Sequence, residues 1–170
     1  ERFVNWTVCA LNTSSTFSGT IQNDTDGVNG LGEAKLTKVG SGTLTLAGTS
    51  TYTGSTTVSA GTLLVNGSLG NTAVTVNNGG KLGGTNGVSG SGTASVTATL
   101  GGGSVTTVNS GGTLAPGSSP GTLTINGSTT LNSGSTFAFE YTGGGAGAST
   151  DLVEVNGTLS INSATLTLVD

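Results

Sequence analysis

The chain is predicted to be all-β and to fold as a parallel β-helix, or β-solenoid, of about seven to eight coils of roughly 20 residues each. Three observations support this prediction. Glycine accounts for 32 of the 170 residues, where average usage would give about 12. Short apolar segments alternate with Thr and Ser, which is typical of strands broken by tight turns. A unit made of a strand end, a glycine-containing turn and a new strand recurs along the chain.

The recurring unit is clearest at residues 58–63, 76–82 and 108–114, with degenerate copies at 131–137 and 161–166. Glycines at positions 42, 61 and 80 are evenly spaced, 19 residues apart, and later spacings lengthen. Lengthening spacings indicate insertions between otherwise equivalent coils. Because one short coil cannot bury its own apolar side, successive coils are expected to stack as parallel strands about 4.8 Å apart.

The strands themselves are predicted from alternation. In residues 43–46, Thr-Leu-Thr-Leu, the two leucines share one face and the two threonines share the other. The same alternation recurs at 123–125, 137–139, 153–155, 159–161 and 166–168. Each inward Leu, Ile or Val is expected to stabilise the fold by about 1.5–3 kcal/mol. Gly and Asn are expected at the corners because both tolerate left-handed backbone angles.

The chain is predicted to be one solenoid segment over residues 1–170. Residues 1–30 are expected to form an irregular coil or cap, residues 31–168 the repeat coils, and residues 142–150, which are rich in glycine, an external loop. The strand pattern continues through residues 165–170 without a polar cap. We therefore expect the segment to be part of a longer chain or to stack on another copy.

Composition and charge exclude several functional classes. The four basic residues, Arg2, Lys35, Lys38 and Lys81, are too few and too scattered to follow a phosphate backbone, so no nucleic-acid partner is expected. No apolar run approaches the roughly 20 residues of a membrane span. The chain has no His and a single Cys, so it offers neither a disulfide nor a Cys/His metal or nucleophile arrangement. The chain is predicted not to be an enzyme and to need no cofactor.

Residues 36–48 read L-T-K-V-G-S-G-T-L-T-L-A-G, and residues 52–65 read Y-T-G-S-T-T-V-S-A-G-T-L-L-V. This segment resembles the autotransporter-associated β-strand repeat, strongly over residues 17–68 and more weakly to about residue 168. The resemblance implies a right-handed β-helix of the passenger type. It also implies a bacterial protein that is secreted or exposed on the cell surface.

Acidic residues are the remaining candidates for a binding site. Counted from residue 22, Asp24, Asp26 and Glu33 take the third, fifth and twelfth positions of a calcium-binding loop. Gln22 stands where the first acidic ligand is needed, and no helical pattern flanks the segment. The three carboxylates are a weak calcium candidate, and a solvated loop between coils is the alternative.

A second group of acids invites comparison with the paired carboxylates of glycoside cleavage. Alternation places Glu140 and Glu154 on the outer face, with Asp151 between them in sequence, and no Lys or Arg occurs in this half of the chain. Solvated surface acids are therefore expected, and a carbohydrate-active β-helix is a minor alternative. Outward threonine pairs such as Thr43/Thr45 are followed by Thr62/Leu64 and then by Lys81/Gly83. That break argues against a face matched to an ice lattice.

An exterior with few charges and many hydroxyls suits weak contacts that add up along a rod. The first expectation is a non-catalytic extracellular structural or adhesive rod that mediates surface adhesion or biofilm-type matrix contacts. Its expected partners are surface glycans or other copies of itself, through coil ends or side faces. The alternative is a self-assembling extracellular filament or sheath subunit that stacks end to end.

Overall fold

The strands stack one above another in parallel register. The computed structural model describes residues 3–9, 11–24, 32–84, 97–100, 105–116, 122–142 and 149–169. These residues contain 19 strands and no helix. All strand pairs among them are parallel except one short hairpin. The arrangement confirms the predicted all-β parallel β-helix.

Sheet A receives one strand from each of seven coils. Its strands are β1 (Phe3–Val8), β3 (Glu33–Lys38), β5 (Thr56–Val58), β8 (Val74–Val76), β11 (Val105–Val108), β14 (Ser128–Leu131) and β18 (Leu159–Ile161).

Two further sheets complete the coils. Sheet B contains β2 (Ser15–Phe17), β4 (Thr43–Leu46), β6 (Gly61–Val65), β9 (Gly80–Gly83), β12 (Thr113–Leu114), β15 (Thr136–Thr142), β16 (Ser149–Thr150) and β19 (Thr165–Val169). Sheet C contains β7 (Ser68–Leu69), β10 (Thr97–Leu100), β13 (Thr122–Ile125) and β17 (Leu152–Val155). From the third to the sixth coil the chain visits sheets A, B and C in turn.

The strand register gives the coil lengths. Leu36 pairs with Thr56, 20 positions further on, and Thr56 pairs with Val74 after 18. Val74 pairs with Thr106 only after 32 positions. The first of these coils have the predicted length of roughly 20 residues. Later coils are longer because extra residues stand between paired strands.

The core is built from columns of aliphatic side chains that repeat from coil to coil. Leu44 and Leu46 are buried while Thr43 and Thr45 are only half-buried, which confirms the predicted alternation. One inward column of sheet B contains Leu44, Leu63, Leu82 and Leu114, and one of sheet A contains Val58, Val76 and Val108. Each coil therefore covers the apolar row of the coil beside it.

Glycine turns join sheet A to sheet B. The backbone N–H of Gly80 donates to the carbonyl of Asn77 at 2.9 Å across a turn in which Gly79 has a φ of 77°. Gly61 occupies a tighter corner, where its φ is 64° and an added Cβ would lie 2.3 Å from the carbonyl oxygen of Gly40. Both the backbone angle and the space therefore require glycine at position 61.

Two predicted irregular regions contribute strands. Residues 1–30 provide β1, which pairs with β3 over six residues, and β2, which pairs with β4. Thr142 and Ser149–Thr150, at the ends of the predicted external loop 142–150, belong to β15 and β16, which pair antiparallel. Residues 143–148 lie outside the described ranges. Within those ranges, no helix has the length and apolarity of a membrane span.

Candidate functional site

The segment predicted to bind calcium places two of its three acids at the surface. The backbone N–H of Asp24 donates to the carbonyl of Gly32 at 3.0 Å, and Asp24 and Glu33 are both exposed. Asp26 lies outside the described residues. Among the residues described, no group of three His, Cys, Asp or Glu side chains is arranged to hold a metal ion. The calcium site stays a prediction.

Asn23 ties this segment to the next coil. Its Oδ1 accepts hydrogen bonds from the backbone N–H groups of Ala34 and Thr53, each at 3.2 Å, and its Nδ2 donates to Thr53 Oγ1 at 2.9 Å. One amide thus links the first coil to the second at both Ala34 and Thr53. Sequence reasoning missed Asn23, since one Asn in an Asn-rich chain carries no distinguishing signal.

The acids compared with glycosidase carboxylates make structural contacts. The buried Asp151 accepts a hydrogen bond from the backbone N–H of Glu140 at 2.8 Å, and its own N–H donates to the Glu140 carbonyl at 2.9 Å. Glu154 is exposed on sheet C and accepts a hydrogen bond from Thr124 Oγ1 at 3.3 Å. Asp151 and Glu140 are therefore connected through the main chain at the base of the β15–β16 hairpin.

Lys38 is fully buried, although its charge makes it a surface residue by sequence criteria. It stands in an apolar column, between Val8 of the coil before and Val58 of the coil after. Its Nζ donates to the carbonyl oxygens of Val39 at 2.7 Å, Gly40 at 2.8 Å and Ala60 at 3.1 Å. Burial lowers the pKa of the ammonium group. The three carbonyls use all three N–H donors of the ammonium group. Lys38 therefore links its own coil to the next one at a corner of the rod.

A hydroxyl cluster is buried around Thr56, the first residue of β5. Tyr52 has no exposed surface, and its hydroxyl lies 2.6 Å from Thr56 Oγ1. Thr56 Oγ1 lies 3.1 Å from Thr72 Oγ1, which donates to the Gly54 carbonyl at 2.5 Å. Burial raises the pKa of Tyr52 to about 12. The cluster is a satisfied polar network inside an otherwise aliphatic core.

The outer face of sheet A carries a continuous ladder of hydroxyl side chains. Each strand of the sheet places one of them immediately before its last inward residue, so that they pair in register from coil to coil. We call this set the threonine ladder: Thr7, Thr37, Thr57, Thr75, Thr107, Thr130 and Ser160. Sequence reasoning missed it by testing only strands with two outward threonines. The available signal was a Thr before each turn, as in Thr57-Val58-Ser59 and Thr75-Val76-Asn77.

An amide ladder runs beside the threonine ladder, at the corner where sheet A ends. Asn109 Nδ2 donates to Asn77 Oδ1, and Asn132 Nδ2 donates to Asn109 Oδ1, each at 3.0 Å. These three residues stand two positions after Thr107, Thr75 and Thr130 respectively. The amide ladder therefore extends the polar face of sheet A by one column.

The corresponding column of sheet B is interrupted. Thr43 and Thr62 pair in register, but Lys81 follows them before the column resumes at Thr113. The adjacent outward column changes from Thr45 to Leu64 and then to Gly83. This register confirms the predicted break in the threonine pairs.

The two ends of the rod expose apolar side chains. In the last coil, Leu159, Ile161, Leu166 and Leu168 are 49%, 62%, 66% and 55% exposed. Alternation predicted these residues to face the core, and they do align with its columns. They are exposed because the described chain covers the last coil on one side only. At the other end, Trp6 and Phe17 line a cavity of about 290 Å³ with Leu36 and Leu46.

Comparison with protein families agrees with this architecture. Residues 36–65 match the family model of the passenger-associated-transport-repeat. The chain carries this repeat. No curated protein matches the chain.

The passenger-associated-transport-repeat extends from Leu36 in β3 to Val65 at the end of β6. It therefore covers about one and a half coils and includes Lys38 and the Tyr52 cluster. Every side chain named for these two features serves packing or hydrogen bonding inside the rod. The repeat is accordingly a structural element, and the resemblance stated for this segment is confirmed.

Proposed function

We propose that this chain is a segment of an extracellular bacterial rod that adheres to surfaces by many weak contacts along its length. The observation that carries the proposal is the register of the seven coils, which brings equivalent polar side chains into line along the outer faces. The passenger-associated-transport-repeat supports a secreted or surface location. Contacts repeated along a rod bind by avidity, so no single deep pocket is needed.

Adhesion is tested with beads that display the purified chain at graded densities on a mucin-coated surface under flow. We expect retention to rise steeply with density, because the number of simultaneous contacts grows with the number of rods that reach the surface. Beads coated with serum albumin are the control. Retention no greater than that of the control at every density would overturn the proposal.

A second candidate function is a filament in which copies stack end to end. The observation that favours it is the pair of apolar ends, with Ile161 and Leu166 exposed at one end and Trp6 43% exposed at the other. Stacking would continue the aliphatic columns and pair the open strand edges of β18 and β19 with those of the next copy. The occupant we propose for each end is therefore the opposite end of a second copy.

Sedimentation over a wide concentration range, with electron microscopy of the same samples, tests this second candidate. Fibres are expected from the native chain and separate rods from the variant Ile161→Asp/Leu166→Asp, since a charge at the junction would be buried without a partner. Asn162→Asp, an exposed position in the same coil, is the matched control and should still assemble. Separate rods at every concentration of the native chain would refute stacking.

A further inference from the structure

The hydroxyls of the threonine ladder lie on the outer face, unlike those of Thr56 and Thr72, which are buried. Thr56 and Thr72 are hydrogen-bonded inside the rod. Within the described chain, the seven hydroxyls of the ladder form no hydrogen bond with another residue. Each hydroxyl can therefore donate one hydrogen bond and accept others from a partner outside the rod.

The hydroxyls of the ladder are also held in fixed positions. Thr is β-branched and restricted at χ1, and the strands that carry it are paired on both sides from the second coil to the sixth. Successive hydroxyls are expected to stand about 4.8 Å apart, the spacing of adjacent strands. Binding to this row therefore costs little conformational entropy of the protein side chains.

Charge on the rod is absent from this face beyond the second coil. The charged residues described in the last five coils are Lys81 and Glu140 on sheet B and Asp151 and Glu154 at sheet C. In the described strands, the outer face of sheet A carries only Glu33 and Lys35, both in its second strand, because Lys38 of that strand faces inward and is buried. A charged partner would find no opposite charge along the face. An uncharged partner needs none, so its binding is not weakened by the lack of charge.

We propose that the outer face of sheet A, formed by the threonine ladder and the amide ladder, binds an extended neutral polysaccharide that lies along the rod. The inference rests on the adhesive function proposed above and names its surface and its partner. A neutral polysaccharide presents hydroxyls at regular intervals, donates and accepts hydrogen bonds, and carries no charge. The second amide N–H of each Asn adds donors beside the hydroxyl row. Each contact is weak by itself, but contacts made at the same time along the row add up to a higher affinity.

The test is co-sedimentation of the chain with insoluble cellulose and with insoluble mannan, both neutral, and with calcium-gelled polygalacturonate as the acidic probe. The test variant replaces three central hydroxyls of the ladder by methyl groups, as Thr57→Val, Thr75→Val and Thr107→Val. Valine keeps the shape and the strand preference of threonine. The matched control carries three such changes on sheet B, where the residues are also outward and half-buried: Thr62→Val, Thr113→Val and Thr136→Val.

We expect the native chain to bind cellulose or mannan and to bind polygalacturonate at least tenfold more weakly. The sheet A variant should lose at least tenfold in affinity for the neutral probe, and the sheet B variant should lose less than twofold. Circular dichroism and thermal unfolding of all three proteins verify that the variants fold. A chain that binds neither neutral probe, or two variants that lose affinity equally, would overturn the inference.

The same variants separate this inference from the proposed function. If beads carrying the sheet A variant are retained on mucin as well as beads carrying the native chain, adhesion stands and the assignment of this face is wrong. If native beads are not retained and the native chain binds no polysaccharide, both proposals are wrong. Sedimentation of the free proteins tests whether a second copy of the chain occupies this face instead. If the native chain is a dimer and the sheet A variant is a monomer, this face is an interface between copies. That result would overturn the proposal that the face binds a polysaccharide.

Discussion

Raising the pH above 10 is expected to destabilise the rod through Tyr52. Its side chain has no exposed surface and its hydroxyl is 2.6 Å from Thr56 Oγ1. Burial raises its pKa to about 12, whereas an unfolded tyrosine ionises near pH 10 (about 10 in model peptides). Between about pH 10 and about pH 12, the folded state therefore keeps the Tyr52 proton that the unfolded state has already released.

The sign and the size follow from the difference between these two pKa values. A folded-state pKa that is raised contributes stability that is fully present below about pH 10 and lost as the pH rises to about 12. Two pKa units correspond to about 3 kcal/mol, at about 1.4 kcal/mol each. That loss is a large part of the roughly 5–15 kcal/mol by which domains are stable.

Two measurements follow the ionisation and its energetic effect. The chain contains two tyrosines, so in the variant Tyr141→Phe the tyrosinate absorbance reports Tyr52 alone, and we expect its midpoint at about pH 12. Tyr141 is 42% exposed, so this change should leave the fold intact. Denaturant unfolding of the native chain and of Tyr52→Phe, from neutral pH to 12, gives the second measurement.

Tyr52→Phe is expected to be about 1 kcal/mol less stable than the native chain at neutral pH, because Thr56 loses a hydrogen-bond partner. The difference should shrink and reverse as the pH passes 10, since phenylalanine does not ionise. A midpoint near pH 10 for Tyr52 in protein that circular dichroism shows to be folded would refute this reasoning. So would an unfolding free-energy difference between the two proteins that is independent of pH.

Three further changes test the corners and the interior, each by denaturant unfolding at neutral pH. Lys38→Met should cost about 1–3 kcal/mol because it leaves three carbonyl oxygens without their donor, while Lys81→Met at the half-buried surface should change stability by less than about 0.5 kcal/mol; equal effects would contradict the burial of Lys38. Gly61→Ala should cost more than Gly79→Ala, since both glycines have positive φ but an added Cβ meets a backbone oxygen only at Gly61; the strain at Gly79 alone is about 1–2 kcal/mol. Thr129→Val should raise stability by about 1 kcal/mol, because the buried hydroxyl of Thr129 has no partner within the described chain; a loss would show that this hydroxyl is satisfied.

Much of the fold was predictable because a solenoid repeats one local pattern. Period-two alternation in β4 identified Leu44 and Leu46 as inward, and glycine spacing located the corner at Gly61, where the structure has no room for a side chain. The resemblance over residues 36–65 was confirmed by the family comparison. Each of these features depends on residues that are close in sequence, and local pattern is sufficient for them.

The candidate surface was less predictable because it depends on register. Thr75 and Thr107 are 32 positions apart, yet they are neighbours on sheet A, while Thr57 and Thr75 are neighbours after 18. A fixed period applied to the sequence would align the wrong residues across the longer coils. The threonine ladder emerges only when the hydrogen-bonded pairing of each coil with the next is known.

The sequence by itself determined the all-β class, the parallel coils, the inward and outward faces of each strand and the glycine corners, because backbone preference and alternation act locally. The tertiary structure alone decided which distant side chains meet. It buried the charge of Lys38 where three carbonyl oxygens converge, joined Tyr52 to Thr56 and Thr72, and left the inward face of the last coil exposed. The physical reason is that burial and hydrogen bonding depend on which coil lies above and below a residue. That neighbour is set by the register of the whole stack.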